Sequence, residues 1–430
     1  MFKKIVQIKL KFFARAILRK YDPKIVGITG SVGKTSAKEA CFAVLKNSFR
    51  VRKSIKNYNN EFGLPLAIIG EESAGRNIFG WILIFLKAFR LLILKDKNYP
   101  EILILEMGVD KPGDMKYLLK MAKPDVGILT MIGPSHLENF KEIANIKKEK
   151  SELLKNLKNN GLAVLNADNE ECLSVKNDLR SKVLTFGFCG QADVKASNLM
   201  FKLGKFQQIS DFAGVVYKLN FKGSAVPIAL PRSAGKPAVY ASLAAVSAGL
   251  YFKMNMIEIA NGLEEFSPPA GRMRLLGGIK NSLLIDDTYN ASPQSSLAAI
   301  DFIKEIKTDD ITGKLAVFGD MLELGSESET GHKQVGKALK DAGFDMVVAV
   351  GERARDILRG AKEAGMNNSR LFHFDKNDPA GKFVQKKMKE GNLVLVKGSQ
   401  GARMEQIVKE IMAEPLRAEE LLVRQGREWL

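Results

Sequence analysis

At 430 residues the chain exceeds one ordinary hydrophobic core, so two or three domains are expected, and 46% hydrophobic with 27% charged residues describes a folded rather than a disordered polymer. A net charge of +18 favours anionic partners, whether nucleotides, phosphorylated substrates or an anionic membrane, unless it reflects only a lysine-rich surface. Three histidines exclude a His-rich metal centre, and Cys41, Cys172 and Cys189, odd in number and without metal-ligand spacing, exclude a disulfide framework and suit a reducing, cytoplasmic setting.

The first element is "MFKKIVQIKLKFFARAILRKY", which has no small-residue cleavage site and does not read as a signal peptide. Wound as a helix, it gathers Lys4, Lys11, Arg15 and Arg19 on one stripe and Phe2, Val6, Leu10, Phe13 and Ile17 on another. Such a basic amphipathic helix either packs on the body of the protein or lies on an anionic membrane. Next comes "VGITGSVGKTSAKEA", a strand, a glycine turn and a helix start. Gly30 and Gly33 permit a turn tight enough to aim backbone N–H groups at phosphate oxygens, and the following helix adds its positive end. Lys34 is then placed for the β- and γ-phosphates and the Thr35 hydroxyl for Mg²⁺, so nucleotide phosphates are expected on residues 29–36, including Thr29, Ser31 and Ser36. The general pattern G-x-x-x-x-G-K-[ST] wants a glycine where Ile28 stands, and the motif here is T-G-x-x-G-K-T.

Downstream, "IFGWILIFLKAFRLLIL" (78–94) is shorter than the roughly 20 residues of a spanning helix and carries Lys87 and Arg90 inside it, so it reads as an interfacial or groove-covering helix. Short apolar runs alternate with helical patterns. "KIVGIT", "EILILEMG", "DVGILTMI" and "LAVLNAD" form one set; "SLLIDD", "KLAVFGD", "MVVAVG" and "NLVLVKG" form another. This alternation predicts mostly parallel sheets with crossover helices. Residues 194–230 break the pattern, with "FAGVVYKLNFKGSAVPIALP" reading as a small antiparallel region. The prolines and glycine of "FSPPAGR" mark a boundary, giving an N-terminal helix over 1–22, an α/β P-loop domain over 23–266 and a second, Rossmann-like α/β domain over 267–430.

The T-G-x-x-G-K-T form resembles the Mur ligases, ATP-dependent enzymes that add amino acids to the peptidoglycan precursor. Further segments resemble the branch that adds D-alanyl-D-alanine: "NYNNEFGLPLAI", "ILEMGVDKPGDM", "HLENFKEIANIKKEKSEL", "AGRMRLLGG", "LIDDTYNASPQS", "FGDMLELG", "GHKQVG" and "VKGSQGARME", in family order from residue 25 to about 405. The resemblance implies a ligase that joins D-alanyl-D-alanine to a muropeptide. It also implies ATP, Mg²⁺ in two places, and activation of the acceptor carboxylate as an acyl phosphate, a transfer that needs charge neutralisation more than covalent help. Thr35, Glu106 and His136 match the metal positions, although His is an unusual ligand for so hard an ion. Lys150 matches a lysine carbamylated in the family, which turns a cation into a metal-binding anion; by itself it would read as part of a solvated charge run. Lys34, Lys150, His136 and Arg272 are the implied catalytic set, with Arg272 contacting nucleotide phosphates and Asp287 the ribose. Asn57, Asn60 and Glu61 match a substrate-side loop, though "NYNNE" would also serve as a helix cap. Asp320, Glu323 and His332 fall in boxes near the acceptor side.

Three departures stand out. "GKPAVYASL" has Pro237, Ala238 and Ala241 where the family usually has a His and two Asn, which removes expected adenine contacts, and Ser292 stands where Asn is common. Only some twenty residues precede the P-loop, too few for the domain that grips UDP in this family. The expectation is therefore that UDP is bound otherwise, or by a separate partner chain, or that the substrate is lipid-linked. In the last case residues 1–20 and 78–94 would place the enzyme peripherally on the inner face of the plasma membrane. Rival readings are a folylpolyglutamate-synthase-like ligase, which lacks the boxes quoted above, and a nucleotide-binding regulatory protein without catalysis. A nucleic-acid partner is not expected, for want of aromatic stacking boxes or a recognition helix.

Overall fold

The computed structural model describes residues 2–54, 61–133, 137–202, 214–306, 310–426 and 429. The chain divides into two compact units, Met1–Leu199 with Tyr217–Ala229 and Val239–Phe266, and Met200–Val216 with Leu230–Ala238 and Ser267–Leu430.

Among the described residues nine strands form the first sheet: β1 (Lys24–Thr29), β2 (Val51–Lys53), β3 (Ile102–Glu106), β4 (Val126–Leu129), β5 (Leu162–Asn166), β6 (Lys182–Gly187), β7 (Val194–Lys202), β8 (Gly214–Phe221) and β9 (Ser224–Leu230). Their order is β2-β3-β1-β4-β5-β6-β7-β8-β9, and every pairing from β2 to β7 is parallel. Both faces of this sheet are covered, which is why its strands read as continuous apolar runs. Ile25 on β1 joins a core cluster with Leu103, Leu105, Leu129 and Leu165, while Val26 and Ile28, pointing the other way, are just as buried. The antiparallel part lies at the β8–β9 hairpin. Its two turn residues, Lys222 and Gly223, both have positive φ (47° and 81°), the twist that suits a two-residue connection.

Helices α1 (Phe2–Tyr21), α2 (Lys34–Leu45), α3 (Gly63–Ile69), α4 (Ile78–Ile93), α5 (Asp114–Leu119), α6 (Leu137–Phe140) and α7 (Ile143–Lys155) belong to the first unit. Of the two settings open to α1, the structure shows packing on the body. Val6, Leu10, Ala14 and Ile17 sit in the same cluster as Leu64 and Ile68 of α3 and Trp81 and Ile84 of α4. Phe13 meets Phe85 with ring centroids 5.8 Å apart, and Tyr21 stacks on Tyr99 at 4.1 Å. The Lys20 ammonium donates to the carbonyls of Leu91, Leu92 and Leu94 at 2.8–2.9 Å, satisfying acceptors that the end of α4 leaves open. Among the described residues no helix is long and apolar enough to cross a membrane.

The second sheet contains β10 (Arg274–Gly278), β11 (Ser282–Asp287), β12 (Gly313–Gly319), β13 (Met346–Val350), β14 (Leu371–Phe374) and β15 (Asn392–Lys397) in the order β10-β11-β15-β12-β13-β14. Only β10–β11 is antiparallel. Alternate residues enter two separate cores. Leu283, Ile285, Ala316, Phe318 and Leu395 face one; Leu284, Leu315, Val317, Val394 and Val396 face the other. That is the doubly covered parallel sheet expected of a Rossmann-like unit. The segment "GKPAVYASL" opens a helix, Gly235–Tyr251, with Pro237 in the first turn, where a missing N–H leaves no acceptor unpaired.

Because α1 fills the core, Leu10→Ala should lower the unfolding free energy by about 2–5 kcal/mol in urea titrations. Ile8→Ala, on the outer face of the same helix, should change it by no more than about 0.5 kcal/mol. Equal small effects would show that α1 is not part of the folded body.

Candidate active site

The β1 strand delivers the chain to Thr29, and residues 30–33 turn it into α2. Gly33 caps α2 at φ 85°, a left-handed conformation that favours glycine. Gly30 is required by space: a Cβ there would lie 2.0 Å from Thr130 Oγ1. That hydroxyl donates to the Val32 carbonyl at 2.6 Å and lies 3.2 Å from the Thr29 carbonyl. Ser31 N–H donates to the Met131 carbonyl at 2.7 Å, and the Ser31 hydroxyl donates to the Gly133 carbonyl at 2.8 Å. The segment after β4 thus holds the loop from behind. Its own shape is set by Asn166, which donates to the Thr130 carbonyl, and by Asn169, which both donates to and accepts from the Ile132 backbone. The helix that follows points its positive end at this loop, an anion cradle by construction.

Two lysines converge on one atom of the loop. Lys34 Nζ donates to the Gly30 carbonyl at 2.7 Å, and Lys150 Nζ, from α7, donates to the same oxygen at 3.1 Å. Lys150 is buried, and burial, with Lys34 next to it, pushes its amine down to about pKa 7. Near neutrality it is therefore partly uncharged, as a lysine must be to react with carbon dioxide.

Thr35 and Glu106 also come together. The Thr35 hydroxyl lies 3.2 and 3.3 Å from the two oxygens of Glu106, which is buried at the end of β3. A hydroxyl and a carboxylate are hard oxygen donors that fit Mg²⁺, an ion that keeps waters and substrate phosphates in its shell rather than requiring an all-protein cage. Among the described residues no cluster of three His, Cys, Asp or Glu is present. The buried Thr29 hydroxyl has no hydrogen-bond partner. Ser36 is buried in the first turn of α2. His136, Asn57 and Asn60 lie outside the described residues, and Glu61 is half-buried just before α3.

In the second unit, Arg272 lies over the Tyr289 ring, 3.9 Å from its centroid. Asp287 accepts from Lys397 Nζ at 2.5 Å and from the Met273 N–H at 3.1 Å. Its neighbour Asp286 is fully buried and accepts from the Gly271 N–H and the Thr288 hydroxyl; burial raises its carboxyl to about 6. Asp320 accepts from the Ala354 N–H, and Glu323 takes a left-handed φ of 65°. His332 is wholly buried: its Nε2 accepts from the Met321 N–H at 3.0 Å and its Nδ1 lies 2.7 Å from the Ser328 carbonyl. With both ring nitrogens used inside the fold, His332 shapes the 320–323 loop from within. Ser292 caps the helix Pro293–Glu305, accepting from the Ser295 N–H, a task to which Ser is as well suited as Asn.

Several residues of the site escaped the sequence reading. Lys38, one helical turn beyond Lys34, is buried 3.6 Å from Glu106 and offsets its charge; the i, i+4 spacing was the available signal. Thr130, Asn166 and Asn169 act through backbone geometry and leave no motif. Lys397 sits opposite Asp287 in the β11–β15 register, a charge closing an apolar strand.

Comparison with known proteins agrees with this geometry. Residues 88–248 match the Mur ligase middle domain and residues 271–400 the Mur ligase glutamate ligase domain. The chain is 29% identical over 407 residues to UDP-N-acetylmuramoyl-tripeptide–D-alanyl-D-alanine ligase of Bacillus subtilis, covering 95% of this chain and 80% of the relative. It superimposes on MurF from Acinetobacter baumannii with a TM-score of 0.75 at 25% identity, covering 94% of this chain and 79% of that one. It also superimposes on MurF ligase from Thermotoga maritima in complex with ADP, with a TM-score of 0.74 at 26% identity and coverage of 94% and 83%. With both domain matches in the order of the two folded units and a glycine loop that gathers Lys34, Thr35, Glu106 and Lys150, the chain belongs to the Mur ligase family.

Proposed function

We propose that this chain is an ATP-dependent carboxylate–amine ligase of peptidoglycan precursor synthesis that joins D-alanyl-D-alanine to the terminal carboxylate of a muropeptide. The observation that carries the reading is the meeting of Lys34 and Lys150 at the Gly30 carbonyl, with Thr35, the residue after Lys34, set against Glu106. On nucleotide binding, Lys34 leaves that carbonyl for the β- and γ-phosphates, and the loop N–H groups with the α2 N-terminus hold the remaining charge. Thr35 and Glu106 would hold Mg²⁺, which supplies charge neutralisation at the transferring phosphoryl group. The muropeptide carboxylate oxygen attacks the γ-phosphorus of ATP, the bridging P–O bond breaks and ADP leaves; the dipeptide amine then attacks the carbonyl carbon of the acyl phosphate, gives up a proton to solvent, and phosphate leaves. Arg272 and Asp287 carry the second unit's proposed share in nucleotide binding, and Asn57, Asn60, Glu61 and His136 the proposed share in substrate and metal.

For Lys150 we propose carbamylation. The neutral Nζ attacks carbon dioxide, an N–C bond forms and one proton leaves to solvent, giving an anion as a further metal ligand. A lipid-linked muropeptide, or UDP held by a separate partner chain, are the forms of acceptor proposed beside the UDP-linked one.

Lys34→Ala should reduce substrate-dependent phosphate release by about 100–1,000-fold. Undiminished release, in a screen pairing UDP-linked or lipid-linked muropeptides with D-alanyl-D-alanine or single amino acids, would sink the assignment. The Lys150 amine is lowered to about 7, so its neutral form is lost as pH falls below 7 and dominates above it. Phosphate release should therefore rise as pH increases through 7 and rise further with added bicarbonate. Lys150→Arg, charged throughout, should abolish the bicarbonate response and lower release by about 10–100-fold. A carbamate signal from ¹³C-bicarbonate should appear in the wild type and be absent from Lys150→Arg; its absence from both would contradict the carbamate.

A further inference from the structure

The first unit carries an apolar face that its own core does not use. On α4 the buried stripe is Trp81, Ile84, Ala88 and Leu91. The opposite side exposes Ile78, Phe79, Ile82, Leu83, Leu86, Phe89 and Ile93, with Phe79 79% and Leu83 67% accessible. On α1 the residues opposite the buried stripe are Ile5, Ile8 and Phe12, the last 65% accessible. The two helices lie side by side and run the same way, since Phe13 meets Phe85 while Lys20 reaches Leu91–Leu94. Their outward stripes thus form a broad apolar strip on one unit, larger than the scattered exposed side chains of an ordinary soluble surface.

The charge around it names the occupant. Residues 2–21 carry seven cations and no acid, and residues 76–97 carry five cations against the single acid Asp96. Lys3, Lys4, Lys9, Arg15, Arg19, Arg76, Arg90 and Lys95 are exposed along the helices and at their ends. Beyond Phe12 the apolar stripe of α1 passes into a shallow groove lined by Ile8, Lys11, Phe12, Arg15, Ala16 and Arg19, in which cations alternate with apolar side chains. Apolar side chains outward with a cationic border is the pattern of a helix lying in the plane of an anionic bilayer surface, its apolar face among the acyl chains and its Lys and Arg at the phosphates. A second copy of this chain fits worse, because it would bring two cationic borders together. No span is involved: α4 has 16 residues.

We propose that the joint outer face of α1 and α4 is a docking surface for anionic phospholipid bilayers, holding the first unit peripherally on the membrane with α4 as the deeper element. This does not depend on which carboxylate the chain activates. Removing residues 1–20 would not test it, because Val6, Leu10, Ala14 and Ile17 fill the core and their loss would unfold the unit. Substitutions on the outer face alone do test it.

The test is flotation of the purified full chain with phosphatidylcholine vesicles that contain or lack phosphatidylglycerol. The chain should float with the anionic vesicles at least about tenfold better than with the neutral ones, and salt should weaken the difference. Phe79→Glu with Leu83→Glu should abolish flotation while leaving the melting temperature unchanged. Arg15→Glu with Arg19→Glu should remove most of the preference for anionic vesicles. The proposal is overturned if wild type floats with neither vesicle, or if the Phe79→Glu/Leu83→Glu chain floats as well as wild type. It is equally overturned if light scattering shows a dimer that the same pair of substitutions dissociates and that does not bind vesicles.

Discussion

Two amines on one carbonyl oxygen set the terms for the rest of the first unit. Lys34 and Lys150 both donate to the Gly30 carbonyl, at a residue where the chain lies against the Thr130 hydroxyl with no room for a side chain. Two full ammonium charges so close would repel strongly in a buried setting, so one must give way. Burial first, and Lys34 beside it second, lower the Lys150 amine to about 7, so the deeper of the two lysines is the one that gives up charge. The polar groups behind the loop, Thr130, Asn166 and Asn169, fix its backbone before any nucleotide arrives. Binding then costs little reorganisation, the condition under which fixed dipoles and charges accelerate phosphoryl transfer most.

The second unit follows a similar logic with other residues. Asp286 and Asp287 end β11 side by side, and each is held by the fold: Asp286 by the Gly271 N–H and Thr288, Asp287 by Lys397 and the Met273 N–H. These contacts tie the 271–273 turn, which carries Arg272, to the end of β11. Arg424, buried near the C-terminus, adds donors to the Thr288 and Tyr289 carbonyls and an ion pair with Glu405. Tyr289, under the Arg272 guanidinium, is therefore anchored from the far end of the chain. Leaving one member of such a buried charged network unpaired costs more than the pair itself contributes, which is why these residues behave as a unit.

How much of this was legible in the sequence follows from the physics of each element. The parallel strands were plain, because burial on both faces makes runs such as "KIVGIT" and "SLLIDD" apolar throughout, and those two coincide with β1 and β11. The glycine loop was plain because its backbone demands Gly30 and Gly33. The short strand β2, of three half-buried residues, carries no pattern of its own and was missed. The basic N-terminal helix was ambiguous, since amphipathicity is the same for packing on a core or on a membrane; α1 has an inner stripe for the first and a second, outer apolar stripe. His332 fell in a box near the acceptor side, and its ring nitrogens meet the Met321 N–H and the Ser328 carbonyl inside the fold, partners that a motif does not report. Lys38 and Lys397 act through space, across a helical turn and a strand register, which sequence order conceals.

The proposed chemistry turns on transfer of a phosphoryl group at the glycine loop to a carboxylate oxygen. Its direct measurement uses a muropeptide, in UDP-linked or lipid-linked form, whose acceptor carboxylate is labelled with ¹⁸O. The chain is incubated with it, ATP, Mg²⁺ and D-alanyl-D-alanine, and the released phosphate is analysed by mass. Transfer through an acyl phosphate gives phosphate carrying one ¹⁸O atom for each amide bond formed. Unlabelled phosphate, released without amide formation, would contradict it and leave the loop as a nucleotide hydrolase or sensor.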